Sequence, residues 1–223
     1  MSTPRAPGLK LLAYDRSLGA RYVAGADEAG RGALAGPLVA AAVLFDQWRL
    51  RPQDRRALAL LDDSKRLTAT ARADLYPVIL RVAVKVAIVS RCAPGIDQRG
   101  LHVTNLAALR EALAMVACHG AICLSDGFHL GELGHEHRAL VRGDSTSAAI
   151  AAASVLAKQT RDRYMQRADV CHPGWGFARH VGYASREHRD AIARLGVTPL
   201  HRLSFSSAAY QQSGFGAGRA VSP

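Results

Sequence analysis

Two short apolar runs near the start of the chain are joined by a turn that cannot begin a helix. Residues 22–26 form the first run and residues 38–45 the second, and both have the composition of buried strands. The segment Gly30–Gly36 between them nearly matches a dinucleotide-binding loop, but such a loop must open a helix. Pro37 and the strand that follows it rule out that helix. The segment is therefore predicted to be a hairpin with a glycine-rich turn.

The acidic and basic residues of this hairpin indicate a chemistry. Asp27 and Glu28 end the first run, and Arg31 follows with a glycine on each side. Paired carboxylates bind hard divalent cations through oxygen, and glycines allow backbone and guanidinium to approach a polyanion closely. The pattern predicts metal-assisted cleavage of a phosphodiester at one rim of the hairpin. The alternative is a solvated turn without a ligand.

Composition limits the class of protein. The 223 residues, 49% hydrophobic and 21% charged, can bury one sizeable core with a small appendage. A net charge of +11 and a pI near 10.2 favour a polyanionic partner, either nucleic acid or an anionic membrane. No run approaches the roughly 18 apolar residues of a membrane span, and the N-terminus lacks the apolar segment of a signal peptide. We therefore expect a cytoplasmic protein that does not bind membranes.

Cysteine and histidine spacing gives little support to a structural metal. The four cysteines lack CxxC spacing and are predicted to be buried free thiols: Cys92, Cys118, Cys123 and Cys171. The stretch from His129 to His137 contains three histidines and could suggest zinc. Its glycines and lack of helical periodicity instead predict a surface loop.

Hydrophobic periodicity alternates between strand and helix, which predicts an α/β fold. Strands are predicted at 21–27, 37–45, 82–90 and 121–126. Helices are predicted at 9–18, 67–80, 103–118, 144 to about 163, and 185–195. The tail from residue 207 is predicted to be flexible.

Two further acids lie at the ends of predicted elements. Asp126 ends a strand, and Asp144 begins the alanine-rich helix. Each has a structural alternative, because Asp126 precedes Gly127 in a turn pair and Asp144 could cap the helix. Open α/β sheets collect their sites at strand ends. Together with Asp27 and Glu28 these acids would require cations, and two Mg²⁺ or Mn²⁺ ions about 4 Å apart would suit an in-line displacement.

Eight motifs in order, from about residue 20 to residue 206, resemble bacterial ribonuclease HII. They are Tyr22-Val-Ala-Gly-Ala-Asp-Glu-Ala-Gly-Arg-Gly-Ala-Leu-Ala-Gly-Pro, Asp62-Asp-Ser-Lys-Arg-Leu-Thr, Ser125-Asp-Gly, Arg142-Gly-Asp-Ser-Thr-Ser, Ile150-Ala-Ala-Ala-Ser-Val-Leu-Ala-Lys, Thr160-Arg-Asp-Arg, His172-Pro-Gly-Trp-Gly-Phe-Ala-Arg-His-Val-Gly-Tyr and Thr198-Pro-Leu-His-Arg-Leu-Ser-Phe.

The resemblance implies a ribonuclease H-like mixed sheet flanked by helices, with a C-terminal helical extension. The implied organisation is a flexible N-terminus (1–8), a catalytic domain (9–206, with the extension at about 170–206) and a flexible tail (207–223). The implied activity is cleavage of the RNA strand of RNA–DNA hybrids and cutting 5′ to single ribonucleotides in duplex DNA. The products would carry 3′-hydroxyl and 5′-phosphate ends. The implied role is the removal of ribonucleotides during DNA replication and repair.

The resemblance also implies roles for single residues. The catalytic and metal-binding acids would be Asp27, Glu28, Asp126 and Asp144, with two Mn²⁺ or Mg²⁺ ions. The substrate-binding residues would be Gly30, Arg31 and Gly32 at the ribonucleotide, Tyr183 against the following deoxyribose, and Lys65 and Arg66 near the backbone. For Lys65 and Arg66 a solvated helix start is an equal alternative. A structural or phosphate-steering role is expected for His172, Lys158 and Arg161.

Some positions depart from the family pattern. Ala33 replaces a frequent proline, Ala184 follows Tyr183 where glycine or proline is common, and Ser125 replaces an aliphatic residue before Asp126. The segment beginning at Gln211 is a poor match to a sliding-clamp peptide, so no clamp docking is predicted. The protein is expected to act as a monomer on nucleic acid.

Two other classes of function remain. A non-catalytic module that binds hybrids would use the same basic surface but would not need clustered acids. A junction resolvase or general DNA nuclease would keep the acids but would not need to recognise a 2′-hydroxyl. The glycine-flanked Arg31 together with Tyr183 favours recognition of ribonucleotides.

Overall fold

A five-stranded sheet with helices around it forms the framework of the protein. The computed structural model describes residues 6–205 and Tyr210. The strands are β1 (Tyr22–Ala29), β2 (Leu38–Asp46), β3 (Lys85–Arg91), β4 (Ala121–Asp126) and β5 (Glu136–Leu140), in the order β3-β2-β1-β4-β5. Strand β1 is antiparallel to β2 and parallel to β4, which is parallel to β5. The predicted α/β class with a mixed sheet is confirmed.

The helices follow the predicted order with shifted ends. They are α1 (Pro7–Ser17), α2 (Pro52–Ala57), α3 (Ala69–Val82), α4 (Ala93–Arg99), α5 (Leu101–Val116), a 3₁₀ turn (Gly143–Ser145), α6 (Ala148–Cys171), α7 (Phe177–His180) and α8 (Arg186–Leu195). Three of these were not predicted from the sequence, namely α2, α4 and α7. They have only four to seven residues, which is too short for a helical period to show.

Both faces of the sheet are covered, which explains why β2 is apolar at nearly every position. Val23 and Val43 pack in one core with α1 and α6, whereas Ala24 and Leu44 pack in a second core with α5. All nine residues of β2 are buried. At Gly25 a Cβ atom would lie 2.3 Å from the backbone of Ala149 and Ile150. Glycine at this position therefore lets α6 pack directly on β1.

The start of α6 is held by the side chains of Ser147 and Asp15. Ser147 Oγ accepts a hydrogen bond from the Ile150 amide at 3.3 Å, as an N-cap serine does. The buried Asp15 carboxylate of α1 accepts the Ala149 amide at 2.9 Å. Asp144 lies in the 3₁₀ turn and does not cap the helix. The capping alternative for Asp144 was therefore wrong, and its carboxylate is available for another role.

The chain divides into two compact units. The first comprises the described part of residues 1–29 together with residues 39–90 and 105–160, and contains the cores on the two sheet faces. The second comprises residues 30–38, 91–104 and 161–223, as far as these are described. Its own core is built around Leu34, Met165, Trp175, Phe177 and Ile192. Asp97 of α4 accepts the amides of Leu203 and Ser204 at 2.9 and 3.0 Å and so secures the end of this unit.

Several expectations about single segments need correction. All four cysteines are free, but Cys92 and Cys171 are exposed because each lies at a helix end, whereas Cys123 is buried. The predicted loop ends at His135, since residues 136–140 form β5 and His137 pairs with Cys123. Most of the predicted flexible tail lies outside the described residues. Tyr210, which is described, is buried and donates to the Leu34 carbonyl at 3.0 Å. Within the described part of the chain, no helix is long and apolar enough to cross a membrane.

Candidate active site

Asp27 and Asp126 lie at the carboxyl ends of neighbouring parallel strands. Asp27 is the sixth residue of β1, and Asp126 is the last residue of β4, where Ser125 pairs with Ala26. Parallel strands end at the same edge of a sheet, so the two side chains are brought together by the strand pairing alone.

The turn that follows β5 brings in Asp144. Asp126 Oδ1 accepts the Gly143 amide at 2.7 Å, and the Arg142 carbonyl accepts the Ser145 amide at 3.1 Å. Arg142 adopts the left-handed conformation, with a φ of 56°. This conformation is costly for a residue with a side chain. The strained turn thus fixes Asp144 against Asp126.

Three of the four predicted acids form one group. Asp27, Asp126 and Asp144 each offer a carboxylate oxygen, and these oxygens all lie within 4.8 Å of one another. Glu28 is outside this group of three, because successive side chains of a strand point to opposite faces. Its amide donates to Asp27 Oδ1 at 2.7 Å, and its charge contributes to the electrostatics of Asp27.

The surroundings of these carboxylates oppose their ionisation. Burial, followed by the charges of Glu28 and Asp126, raises the pKa of Asp27 well above its usual range. Burial, together with Asp63 and Asp126, raises the pKa of Asp144 to about 6. A divalent cation would lower the pKa of both Asp27 and Asp144, because it would compensate the negative charge of their carboxylates. The all-oxygen donor set fits a hard cation such as Mg²⁺ or Mn²⁺.

A second row of polar residues surrounds the acids, and the sequence analysis did not assign it. The side chain of Asp63 hydrogen-bonds with Asp144, and that of Ser154 with Asp27. Ser154 Oγ in turn donates to Ser64 Oγ at 2.8 Å. Asp63 and Ser64 belong to the motif Asp62-Asp-Ser-Lys, of which only the basic residues were given a role from the sequence. The motif places Asp63 and Ser64 directly before Lys65, and this was the sequence signal that could have identified them.

Lys65 and Arg66 differ in their surroundings. Partial burial would lower the pKa of Lys65, but the charges of Asp63, Asp27 and Asp144 outweigh this and raise it. Lys65 therefore interacts electrostatically with the acid cluster. Arg66 pairs instead with Asp62, with Nη1 3.4 Å from Oδ1, and its side chain is 60% exposed. An exposed pair of this kind contributes little to stability.

The glycine-flanked Arg31 and Tyr183 both belong to the second unit, where backbone hydrogen bonds join their segments. The amides of Leu34 and Ala35 both donate to the Gly182 carbonyl, at 2.8 and 3.2 Å. Arg31 and Gly32 are exposed, and Gly30 is buried with a φ of +88°. The Arg31 carbonyl accepts a hydrogen bond from the buried Arg202 at 3.0 Å.

Two neutral histidines, His188 and His201, determine the position of the Tyr183 backbone. His201 Nδ1 accepts the Thr198 amide at 2.8 Å, so the proton of His201 is on Nε2 and points to His188 Nε2 at 3.2 Å. His188 must then carry its own proton on Nδ1, which donates to the Tyr183 carbonyl at 3.0 Å. Burial lowers the pKa of both histidines to about 4, so this arrangement is uncharged at neutral pH. His180 is stacked on His188 with the ring centroids 4.3 Å apart.

The remaining residues with expected roles are structural or peripheral. Arg161 is completely buried, which excludes direct steering of phosphate. His172 contacts the edge of Phe177, with centroids 6.1 Å apart, and Lys158 is half-buried in α6. Ser125 is buried, and its hydroxyl donates to the Phe128 carbonyl at 2.5 Å while lying 2.8 Å from His137 Nε2. Strand alternation places it on the face opposite Asp126.

Comparisons with known proteins agree with this geometry. The family Ribonuclease HII matches residues 24–208. Ribonuclease HII of Rhodococcus erythropolis is 48% identical over 185 residues, which cover 83% of this chain and 80% of that protein. Ribonuclease HII of Mycobacterium avium is 46% identical over 199 residues, covering 89% and 84%.

Solved structures show the same fold. Ribonuclease H2 of Pyrococcus horikoshii superposes with a TM-score of 0.71 at 22% identity, covering 88% of this chain and all of that one. Bst-RNase HIII in complex with Mn²⁺ gives a TM-score of 0.64 at 23% identity, covering 95% and 73%. The converging acids, the sheet that carries them and the extent of these matches lead to one conclusion: the chain belongs to the ribonuclease HII family of endoribonucleases.

Proposed function

We propose that the protein hydrolyses the RNA strand of RNA–DNA hybrids and cuts duplex DNA on the 5′ side of single embedded ribonucleotides. The products would carry 3′-hydroxyl and 5′-phosphate ends. The observation that carries the proposal is the convergence of Asp27, Asp126 and Asp144 within 4.8 Å in a chain with a net charge of +11. A basic protein attracts nucleic acid through its phosphates, whereas clustered carboxylates repel phosphate unless cations are bound.

Asp27, Asp126 and Asp144 would hold divalent metal, with Glu28 as the fourth acid. Two Mn²⁺ or Mg²⁺ ions, when bound, stabilise the charge on the attacking and leaving oxygens of the phosphodiester. The relative in complex with Mn²⁺ supports this choice of cation. The residues themselves keep the carboxylates oriented. Gly143 donates to Asp126, Ser154 shares a hydrogen bond with Asp27, and Asp63 shares one with Asp144.

Recognition of the ribonucleotide would fall to Gly30, Arg31 and Gly32, with Tyr183 packing against the next sugar. RNA differs from DNA at a given site by its 2′-hydroxyl, so this group must be contacted. Lys65 would contact the backbone near the acids, and Arg66 would contribute only to the general basic surface. We further propose that the protein acts as a monomer in ribonucleotide removal during replication and repair. The region examined for a clamp-binding peptide, from Gln211 onward, lies outside the described residues.

A cleavage assay separates this function from its alternatives. Labelled duplex DNA with one ribonucleotide, the same duplex without it, and a continuous RNA–DNA hybrid are each incubated with the protein and Mn²⁺ or Mg²⁺. We expect cuts in the first and third substrates and none in the all-DNA duplex. Cleavage of the all-DNA duplex would indicate a general DNA nuclease, and binding of hybrids without any cut would indicate a non-catalytic module.

Gly32→Ala tests whether substrate approaches the glycine-flanked turn. A Cβ atom at Gly32 has no heavy atom within 4 Å in the free protein, so the variant should fold with a stability change within about 0.5 kcal/mol. Cleavage at a single ribonucleotide should nevertheless fall, because the methyl group would occupy the space that the substrate backbone needs. Unchanged kcat/KM in this variant would mean that the turn does not contact substrate.

A further inference from the structure

Arg161 is a buried cation whose hydrogen bonds hold main-chain carbonyls. Its side chain is 0% exposed in α6. Nε donates to the Pro37 carbonyl at 2.9 Å, Nη2 to the Ala35 carbonyl at 3.0 Å, and Nη1 to the Val181 carbonyl at 2.8 Å. Burial lowers the pKa of this guanidinium. Burial of an ion is unfavourable unless hydrogen bonds compensate it, and here three main-chain carbonyls do so.

The carbonyls held by Arg161 belong to two separate segments. Ala35 and Pro37 follow the glycine-flanked Arg31, whereas Val181 precedes Tyr183. Arg161 also contacts the two proposed recognition elements directly. A Cβ atom at Gly30 would lie 2.0 Å from Arg161 Nε, and the Tyr183 ring centroid lies 5.3 Å from the guanidinium carbon. Glycine at position 30 therefore makes room for Arg161.

The segment before Tyr183 is held in a strained conformation. Val181 has a φ of 42°, in the left-handed region that β-branched residues avoid. Such a conformation is unfavourable and persists only where the surroundings enforce it. The hydrogen bond from Arg161 to the Val181 carbonyl is one of those constraints. Another is the Gly182 amide, which donates to His180 Nδ1 at 3.2 Å.

Arg202 is also a buried guanidinium of this unit, but within the described part of the chain its side-chain hydrogen bonds go to one segment only. It donates to the carbonyls of Gly36 and Arg31, both on the side of the glycine-rich turn. Among the described residues of the second unit, Arg161 is thus the buried cation whose hydrogen bonds join that turn to the Tyr183 segment. Its three donors have a rigid fork geometry that a lysine ammonium cannot reproduce.

We propose that Arg161 is a positioning residue that fixes the spacing between the Gly30–Gly32 turn and Tyr183, and thereby sets the preference for single ribonucleotides over continuous RNA. This inference rests on the proposed function, in which the turn reads the ribonucleotide and Tyr183 the next deoxyribose. In a continuous RNA strand the next sugar is a ribose and carries a 2′-hydroxyl. Tyr183 has no deoxyribose to recognise there, so its precise spacing matters less.

Arg161→Lys is the direct test, with cleavage of both substrates measured as kcat and KM. We expect kcat/KM at a single ribonucleotide to fall about tenfold or more, because small misplacements of recognition groups are costly. On a continuous hybrid the fall should be less than about threefold. The matched control is Arg110→Lys, which removes a guanidinium bound to the Leu130 carbonyl in the first unit and should affect both substrates equally. Equal losses on both substrates for Arg161→Lys would overturn the inference.

Tyr183→Ala separates failure of the inference from failure of the proposed function. We expect Tyr183→Ala to reduce cleavage at a single ribonucleotide much more than within continuous RNA, and the double variant with Arg161→Lys to be no worse than Tyr183→Ala alone. Equal losses in Tyr183→Ala would remove Tyr183 from its proposed role. Suppose that Tyr183→Ala selectively loses cleavage at a single ribonucleotide and that adding Arg161→Lys lowers this cleavage further. This result would refute only the role of Arg161.

Hydrogen exchange on the unaltered protein provides a measurement that does not depend on a variant folding. The Tyr183 amide donates to the His180 carbonyl at 2.9 Å, and the Leu34 amide to the Gly182 carbonyl at 2.8 Å. If Arg161 holds these segments at a fixed spacing, both amides should exchange as slowly as those in the middle of α6. Exchange at the rate of an unstructured peptide at either amide would contradict a fixed spacing.

Discussion

At the acid cluster, the same residues that would favour cation binding are unfavourable for the stability of the fold. Asp27 is 6% exposed, and burial raises the pKa of its carboxyl well above the usual range. Asp126 is less buried and holds the turn that contains Asp144. Residues that are unfavourable for stability but favourable for cation binding are common at functional sites. This combination supports the proposal that the acids serve catalysis.

Replacing Asp27 or Asp126 by Asn tests this explanation. The amide keeps an oxygen that can accept the Glu28 or Gly143 hydrogen bond, so the local structure should be retained. Turnover should fall about 100-fold or more, as it does when one group that stabilises the transition state is lost. Binding of hybrid, measured in Ca²⁺ to suppress cutting, should change little because phosphate contacts lie elsewhere.

The control for these variants is Asp74→Asn, which makes the same charge change at an exposed position of α3. It should leave both turnover and binding close to those of the unaltered protein. Near-normal turnover in either Asp27→Asn or Asp126→Asn would show that the carboxylate is not required.

Among the secondary-structure elements, α1 and α6 are joined by an unusual interaction. The Asp15 carboxylate is buried and accepts the Ala149 amide in the first turn of α6, the helix that follows the Asp144 turn. Burial, only partly offset by hydrogen bonds from Ser147 and Ala149, raises the pKa of Asp15 to about 7. The charged form is therefore disfavoured in the folded protein, although its position at a helix N-terminus is favourable.

This raised pKa predicts a definite pH dependence for the free energy of unfolding. Between the ordinary pKa of 3.8 and about 7, the unfolded chain has released the Asp15 proton while the folded protein retains it. Stability is therefore lost as pH rises across this window, by at most about 4 kcal/mol from this group. Below the window the proton is bound in both states and the penalty disappears.

Asp15→Asn should remove this contribution and keep an acceptor for the Ala149 amide. Metal-free protein is unfolded by urea at several pH values, and the difference between variant and unaltered protein is plotted against pH. The variant should gain relative stability from about pH 4 to about pH 7. Asp74→Asn, used as the charge control, should give a flat difference, and a flat difference for Asp15→Asn would show that Asp15 has an ordinary pKa.

For the whole molecule, the excess of basic residues governs association with nucleic acid. The net charge of +11 arises from 29 Lys and Arg against 18 Asp and Glu. Basic side chains that contact phosphate release condensed counterions, and this makes affinity depend on salt. We therefore expect the charge to supply affinity that is independent of sequence, and the proposed recognition residues to supply the discrimination.

Binding of hybrid should consequently weaken steeply with ionic strength. We expect a plot of the logarithm of the binding constant against the logarithm of salt concentration, measured in Ca²⁺, to have a slope of about −0.9 for each phosphate contacted. Hybrid and all-DNA duplex should show similar slopes. A flat plot would show that the basic surface does not make the phosphate contacts expected of it.

Much of this arrangement was predictable from local patterns. Asp27 and Asp126 follow apolar runs that form strands, so their position at strand ends was evident from the sequence. Strand β5 was missed because it is an edge strand with a mostly exposed, polar sequence, Glu136-His-Arg-Ala-Leu. Edge strands lack the second buried face that produces an apolar run.

The sequence by itself determined the α/β class, the basic charge and the acids at strand ends, because these depend on residue type and short-range period. Only the tertiary structure decided that Asp63 and Ser154 support the acids, that Glu28 stands apart from the group of three, and that Arg161 lies under Tyr183. The contacts of Asp63, Ser154 and Arg161 join residues that are far apart in the sequence. The position of Glu28 depends on which way its side chain points. Local propensity carries no information about such pairings, which are selected by the burial of the whole chain.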